Sequence, residues 1–400
     1  MVFLYTYLKN IGFNENEIKN IMDNYTIKEC SDDTKKKYIE NCYRYFKRKN
    51  YSRKDIMTII KECPQVIAYY SKSIDDKYKT LLSLGINKKD ADKIVVKYPR
   101  IFTHSNESII QKYNDMLKLG FTKKQVLTII KANPKLFGYN IETIETSMLD
   151  ILNLGYEDKK IYKMYTGEPS LIGYSLDTIK TKLKNMEGFG FYYDDVIKIT
   201  SVAPQVITYS REKVKEKLET LTSLGYTFDE IQKLTSTNPL ILNRSKETLV
   251  DKFNLFLELG YTREETKILT ISSSSIFSYS KERLLNQYNN IKSLGFTDEE
   301  VRKMTINLPT MFCYDFINLK SKIDFLKSVK MEFIYLENTK RLIMSLDLMY
   351  ARYEFYKTEE NKIMDRSNSS VMFQSSKQFE KKYKISKNEL LERYPYKKSF

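Results

Sequence analysis

Proline recurs along this chain at a fixed interval. Seven of the eight prolines in the 400 residues lie 35 residues apart or at a multiple of 35, and Ser274 occupies the one place in the series without proline. They are Pro64, Pro99, Pro134, Pro169, Pro204, Pro239 and Pro309. Glycine keeps the same period, 14 residues before a place in the proline series, at Gly85, Gly120, Gly155, Gly190, Gly225, Gly260 and Gly295. Proline fixes φ and glycine tolerates positive φ, so the two series indicate one supersecondary unit repeated about eight times.

The residues between these markers predict two helices per unit. Counting from proline as zero, apolar residues recur at positions ten, fourteen, seventeen and twenty, as at Val214, Leu218, Leu221 and Leu224. This spacing predicts a helix of about four turns that ends at the glycine. A second N-cap, such as Thr122, predicts a shorter helix that stops before the next proline, and the segment after proline suits one 3₁₀ turn. Neither helix hides its apolar stripe alone, so the units must stack.

The repeat resembles that of the mitochondrial transcription termination factor (mTERF) family. The resemblance rests on a leucine-glycine-aromatic-threonine phrase followed by the proline turn, as in Leu119-Gly120-Phe121-Thr122 before Pro134. Tetratricopeptide repeats have period 34 and a tryptophan that this chain lacks, and pentatricopeptide repeats place glycine and proline close together. The segment from Ile343 to Tyr353 resembles the family's C-terminal phrase, with Arg352 retained and Ala351 in place of proline. The resemblance implies a helical superhelix whose basic concave face holds nucleic acid in organellar transcription or RNA metabolism.

We therefore predict an all-α solenoid of about eight 35-residue mTERF-like repeats, shaped as a right-handed superhelix or a half-ring. Residues 1–50 are predicted to form atypical N-terminal capping helices. Residues 51–330 form the repeat array, and residues 331–400 form a C-terminal cap and tail.

The chain is basic along its whole length. Its 67 lysine and arginine residues against 51 aspartate and glutamate residues give a net charge of +16. Residues 1–50 carry 10 basic and 7 acidic side chains, residues 51–330 carry 43 and 34, and residues 331–400 carry 14 and 10. A charge excess spread in this way is typical of an extended surface that binds a polyanion. A lysine-rich coat that only keeps the protein in solution would have the same composition.

One lysine column is the candidate binding site. Position thirteen of the repeat holds Lys77, Lys112, Lys182, Lys217, Lys252 and Lys322, with Ser147 and Gln287 at the two other places. A helical wheel puts this position at the margin of the packed face, where a row of ammonium groups suits phosphates. The alternative is that the lysine stems cover the core while the ammonium groups reach water. Arg244, and Arg352 as the family resemblance implies, complete the predicted nucleic-acid-binding set.

Three other features have structural alternatives. A second lysine column, six residues before proline, holds Lys93, Lys163, Lys198, Lys233 and Lys303, and a solvated helix face explains it best. A tyrosine column at position five could stack on bases, but packing between repeats is favoured. His104, the one histidine in the chain, stands in that tyrosine column and is expected to be structural.

These patterns predict a nucleic-acid-binding repeat protein that acts in transcription or RNA metabolism, on double-stranded DNA or RNA. The alternative is an interaction scaffold that binds an acidic protein partner. No catalytic, metal or phosphate-loop motif stands in the sequence, so we expect no enzyme, no cofactor and no small-molecule substrate. The four cysteines lack CxxC spacing, and no apolar run is long enough to span a membrane. A monomer in a bacterial cytoplasm is expected, with an organelle as the alternative compartment.

Overall fold

The computed structural model describes residues 2–23, 30–69, 71–360 and 362–396, and all regular structure in these ranges is helical. The described chain contains α-helices and short 3₁₀ helices and has no strand, which confirms the all-α repeat fold. The chain divides into two compact units, Met1–Ser210 and Arg211–Phe400.

The first unit begins with three helices and continues with alternating short and long helices. The initial helices are α1 (Val2–Ile11), α2 (Glu15–Met22) and α3 (Asp32–Arg48). The short helices are α4 (Arg53–Glu62), α6 (Lys88–Lys97), α8 (Lys123–Ala132), α10 (Asp158–Gly167) and α12 (Tyr193–Val202). The long helices are α5 (Ser71–Ser83), α7 (Asn106–Lys118), α9 (Ile141–Asn153) and α11 (Leu176–Glu187), and the four-residue α13 (Gln205–Thr208) ends the unit.

The second unit repeats this alternation. Its long helices are α14 (Arg211–Ser223), α16 (Lys246–Glu258), α18 (Lys281–Lys292), α20 (Phe316–Ser328) and α22 (Leu346–Thr358). Its short helices are α15 (Phe228–Thr237), α17 (Arg263–Ser272), α19 (Asp298–Asn307) and α21 (Phe333–Glu337), and α23 (Ser376–Tyr383) and α24 (Lys387–Arg393) follow. Within each unit, long helices contact the next long helix and short helices contact the next short helix, so the helices form two layers.

The glycines end the long helices as predicted. Gly120 has φ +94°, in the left-handed region, and a Cβ built there would meet the Tyr162 hydroxyl at 2.7 Å. Thr122, two residues after this glycine, then caps the short helix. Its hydroxyl accepts from the Gln125 amide, and the Gln125 side chain accepts from the Thr122 amide. Both the left-handed turn and the capping box are thus fixed by local sequence.

The proline places begin five-residue 3₁₀ helices, as predicted. They are Pro64–Ala68, Pro99–Thr103, Pro134–Gly138, Pro169–Gly173, Pro239–Asn243, Ser274–Ser278 and Pro309–Cys313. At Pro204 the segment is instead the α-helical turn α13. The apolar pair at positions two and three of each turn is buried, as at Ile101 and Phe102, so the turn anchors each repeat to the core.

The helix and turn pattern continues beyond residue 330 with a shorter period. Two further 3₁₀ helices, Thr339–Ile343 and Ser369–Phe373, follow Pro309–Cys313 at intervals of 30 residues. Asn50 and Lys330 occupy places in the glycine series and have φ of +67° and +58°. The structural repeat therefore also forms where other residues replace proline and glycine. The domain boundaries at residues 50 and 330 stay predictions.

Candidate nucleic-acid interface

The lysine column at position thirteen donates hydrogen bonds to the next repeat. Lys182 Nζ donates to the carbonyl of Tyr209 at 2.8 Å, 27 residues further along the chain. The same interval joins Lys112 to the carbonyl of Tyr139 and Lys217 to the carbonyl of Arg244. These acceptors are the residues that end the turn after each proline position, so the ammonium group of one repeat donates to the end of the turn in the next.

The remaining lysines of the column act in closely related ways. Lys252 Nζ donates to the Phe277 carbonyl at 2.6 Å, and Lys322 Nζ donates to the Leu342 carbonyl at 2.8 Å. Lys77 donates to Asn106 Oδ1 at 2.9 Å. Burial lowers the pKa of Lys252 and of Lys322 because desolvation disfavours the charged form. These contacts explain the column without a ligand, and a role of its lysines in binding nucleic acid stays a prediction.

Of the two other residue types in the column, glutamine forms an equivalent contact and serine does not. The Gln287 side-chain amide donates to the carbonyls of Met311 at 2.9 Å and Tyr314 at 3.2 Å. Ser147 is too short to reach the next turn, and its hydroxyl lies 2.6 Å from the Tyr165 hydroxyl. At Gln287 a neutral donor therefore replaces the lysine, so this contact does not require a charge.

Arg352 belongs to the same column. It lies 13 residues after Thr339, the residue that takes the proline place in that repeat. Its Nη1 donates to the carbonyl of Met372 at 2.8 Å and to that of Gln374 at 2.6 Å. The residue is only 1 % exposed, so it is a buried member of the predicted binding set.

Arg244 differs from the other predicted residues. Its backbone carbonyl accepts from Lys217, but its half-buried guanidinium has no hydrogen bond or ion pair among the described residues. Burial, and second the charge of Arg244, lower the pKa of Lys252. Arg244 is thus a cation free to contact a ligand.

The tyrosine column packs between repeats, as favoured from the sequence. The Tyr139 hydroxyl packs against Gly173 of the next repeat, at a distance that leaves no room for a side chain there. His104 takes the tyrosine place, and its Nε2 lies 3.1 Å from the Tyr98 hydroxyl. Burial, followed by the charges of Lys77 and Lys112, lowers the pKa of His104. The imidazole is therefore neutral near pH 7 and belongs to the packing of the repeats.

The second lysine column is exposed. Lys93, Lys163, Lys198, Lys233 and Lys303 all lie on the outer face of the short helices, and none forms an ion pair within the described ranges. Lys198, Lys233 and Lys303 each follow an acidic residue by four positions, at Asp194, Asp229 and Glu299. An acid four residues before a lysine stabilises a helix, so these three lysines have a local explanation.

Lys93 and Lys163 have no such explanation, because a lysine precedes each of them by four positions. Four short helices of the first unit, α4, α6, α8 and α10, carry lysine at the second helical residue, at Lys54, Lys89, Lys124 and Lys159, where α12, α15, α17 and α19 carry aspartate or glutamate. We define the lysine ridge as Lys54, Lys89, Lys93, Lys124, Lys159 and Lys163. All six side chains are exposed, and none forms an ion pair with another described residue.

The ridge lies on four stacked helices, α4, α6, α8 and α10, each of which contacts the next. The positive end of the helix dipole disfavours lysine in the first turn, and like charges four residues apart repel. The ridge therefore slightly destabilises the helices that carry it. Lysine nevertheless recurs at this helix position in four consecutive repeats.

Comparison with known families agrees with the repeat pattern. The mTERF profile matches residues 5–153, 149–287 and 230–380, which together span most of the sequence. The chain belongs to the mTERF family. Members of this family are helical-repeat proteins associated with binding nucleic acid. A comparison with curated proteins gave no match.

The described residues of this mTERF protein give little support for metal binding, membrane insertion or thiol chemistry. Within the described ranges, no three histidine, cysteine, aspartate or glutamate side chains come together in a way that could hold a metal ion. None of the described helices is long and apolar enough to cross a bilayer. Cys42 and Cys63 are buried, and burial raises the pKa of Cys42 to about 12 and that of Cys63 to about 11. Both thiols are therefore protonated and weakly nucleophilic.

Buried hydroxyl pairs form a further column that sequence reasoning missed. The Tyr156, Tyr226 and Tyr261 hydroxyls each lie 2.6 Å from the hydroxyl of a threonine 44 residues further on. The threonines are Thr200, Thr270 and Thr305. Each tyrosine directly follows a glycine of the glycine series, and each threonine lies 44 residues after its tyrosine. This recurring interval is the signal in the sequence from which the contact could have been predicted.

Proposed function

We propose that this mTERF protein binds nucleic acid through the lysine ridge, mainly by contacts to phosphate groups. The observation that supports this most is the pair of lysines four residues apart on one helix face, Lys89 with Lys93 and Lys159 with Lys163. The two ammonium groups repel each other in the free protein. A phosphate bound between them attracts both, so the repulsion in the free protein favours binding. A phosphate row also releases counterions from the nucleic acid, which makes such binding sensitive to salt.

The ridge fits a backbone contact better than a base contact. Its side chains are all lysine, a flexible point charge, whereas bidentate recognition of guanine or adenine usually takes arginine, asparagine or glutamine. We therefore propose low sequence specificity and a role in transcription or RNA metabolism, with double-stranded DNA or RNA as the ligand. Arg244, in the second unit, is proposed as a further contact to the nucleic acid.

Fluorescence anisotropy with labelled duplex DNA, single-stranded DNA and duplex RNA tests the proposal. The ridge variant replaces Lys93, Lys159 and Lys163 with glutamine. The matched control replaces Lys198, Lys233 and Lys303 with glutamine and removes the same number of charges from three other short helices. We expect the ridge variant to bind at least about tenfold more weakly at moderate salt, and the control to stay within about threefold of the wild type.

A second comparison separates the ridge from the column at position thirteen. Replacing Lys112 and Lys182 with glutamine keeps a donor to the next turn, as Gln287 shows, but removes two charges. If the column binds nucleic acid, this variant loses affinity as the ridge variant does. If the column only joins repeats, the affinity is that of the wild type. Equal losses in the ridge variant and in its control would overturn the ridge proposal.

A protein-binding scaffold is the second candidate, and one feature favours it. Leu82, Leu117 and Leu152 recur 35 residues apart on consecutive long helices and are 44 %, 36 % and 41 % exposed. Exposed leucines in a row suit a protein surface better than a phosphate backbone. Absence of binding to all three nucleic acids at low salt would favour this candidate over the first.

A further inference from the structure

A cavity of about 630 Å³ lies between the last two 3₁₀ helices, Thr339–Ile343 and Ser369–Phe373. Its polar lining includes Lys340, Arg341, Arg352, Ser370, Gln374 and Ser376. The described residues that line it include three cations and no aspartate or glutamate. The cavity belongs to the second unit, and nothing in the proposed role of the lysine ridge uses it.

The guanidinium of Arg352 on the cavity wall is buried without a counter-charge. Its Nη1 is bonded to two carbonyls, and its planar group lies 4.6 Å from the centre of the Phe379 ring. Its Nε is buried and has no hydrogen-bond partner, and neither has Gln374 Oε1. Burial lowers the pKa of Arg352 to about 10. A buried cation with an unused donor is costly unless an anion or a polar group completes it.

Two further cations stand at the mouth of the cavity. Lys340 is exposed, and Arg341 is half-buried with its guanidinium 5.0 Å from the centre of the Phe373 ring. Neither side chain forms a hydrogen bond or an ion pair with the described residues. The Phe373 ring fixes the place of Arg341, so its donors are held at the cavity and not spread into solvent.

We propose that this cavity binds a phosphate group, as inorganic phosphate or as a phosphate monoester. Lys340 and Arg341 donate to the phosphate oxygens from the mouth, and the buried positive charge of Arg352 attracts the phosphate from the wall. Charge-assisted hydrogen bonds of this kind are short and about twice as strong as neutral ones. The phosphate supplies the negative charge that the buried guanidinium lacks, so binding also stabilises the fold of the second unit.

The main test uses titration calorimetry on the full chain with inorganic phosphate, at constant ionic strength set by chloride. Arg352→Gln is the informative variant, because Gln287 donates to a turn carbonyl at 2.9 Å from the equivalent position. Glutamine at position 352 therefore keeps a donor to the turn but removes the positive charge. We expect this variant to bind phosphate about tenfold more weakly than the wild type.

A second variant keeps the test decisive if Arg352→Gln does not fold. Lys340→Gln with Arg341→Gln changes only the mouth, and its matched control, Lys377→Gln with Lys381→Gln, removes two exposed charges from α23 outside the cavity. We expect at least about tenfold weaker phosphate binding in the mouth variant and no change in its control.

The phosphate proposal fails if the wild type gives no saturable heat at millimolar phosphate. It also fails if the mouth variant and its control bind equally well. Titration with adenosine 5′-monophosphate, and with a short oligonucleotide with and without a terminal phosphate, identifies the source of the group. Tighter binding of the phosphorylated oligonucleotide alone assigns the cavity to a chain end, and tighter binding of the mononucleotide assigns it to a small molecule.

Discussion

Lys182 joins two consecutive repeats by donating from Nζ to the backbone carbonyl of Tyr209 at 2.8 Å. The acceptor is the carbonyl of the residue that ends the segment after Pro204. A lysine in this place is thus a cap supplied by the preceding repeat. The same relation recurs through the array, which explains why the column tolerates glutamine and arginine but retains a donor.

Replacing Lys182 with methionine is expected to destabilise the protein by about 1 to 2 kcal/mol, because the half-buried carbonyl loses its partner while the apolar stem is kept. Lys182→Gln is expected to cost less, since glutamine forms the contact at position 287. Urea unfolding followed by circular dichroism measures both. Lys180→Met, at an exposed place on the same helix, serves as the control. A loss in the control as large as that at position 182 would contradict the capping role.

The stability of the fold should decrease as the pH falls below about 6.5, because of His104. Its pKa is lowered in the folded protein, so the unfolded chain binds a proton that the native imidazole resists. The contribution is complete above the unfolded pKa near 6.5 and declines as the pH falls towards the folded pKa. For one proton the slope is at most about 1.4 kcal/mol per pH unit.

His104→Tyr isolates this effect, since His104 is the one histidine in the sequence and tyrosine is the usual residue of its column. Unfolding free energies measured between pH 5.5 and 7.5 should vary with pH less in the variant than in the wild type. Identical pH profiles would show that the imidazole is not desolvated in the native state.

Ser274→Pro is expected to stabilise the protein by about 0.4 to 1 kcal/mol, through a smaller entropy of the unfolded chain. The preceding residue, Ser273, has φ −139° and ψ 71°, close to the −138° and 79° of Asn238 before Pro239. The backbone at Ser274 therefore already suits proline. Differential scanning calorimetry of Ser274→Pro beside Ser274→Ala tests this. A lower melting temperature for the proline variant would mean that this turn differs from its proline-containing equivalents.

Lys330→Gly is expected to stabilise the second unit by about 1 kcal/mol. Lys330 has φ +58° at a place in the glycine series, and a Cβ is disfavoured in that conformation. Lys330→Ala loses the same charge but keeps the Cβ, so it should give no gain. Thermal unfolding of the two variants and the wild type measures the difference in stability. Equal stability of both would locate the strain elsewhere.

The sequence predicts the backbone of this fold better than its side-chain contacts. Proline and glycine determine φ directly, so their 35-residue series places the turns and helix ends, and the threonine caps follow from short local motifs. The repeats after residue 330 could not be predicted from the two series, because Thr339 and Ser369 replace proline and the period shortens to 30 residues. Neither residue prevents the 3₁₀ turn, and a buried apolar residue at position three, Leu342 or Met372, is kept in both turns.

The candidate site was harder to predict because the decisive partners lie in another repeat. A helical wheel correctly puts Lys182 at the margin of the packed face, but it cannot show a carbonyl 27 residues away. The ridge could have been found from sequence alone. The helix dipole favours acidic residues in the first turn, as at Asp229 and Glu299 in later repeats. Lys89 and Lys159 stand at that position in the earlier repeats, and this contrast indicates the ridge.

The central claim is that the lysine ridge contacts phosphates, and the salt dependence of binding tests it most directly. The association constant for duplex DNA should be measured across a series of salt concentrations for the wild type, the ridge variant and its matched control. The account predicts that the slope of log K against log salt becomes shallower by about 2 to 3 in the ridge variant and stays unchanged in the control. The same slope in all three proteins would contradict it.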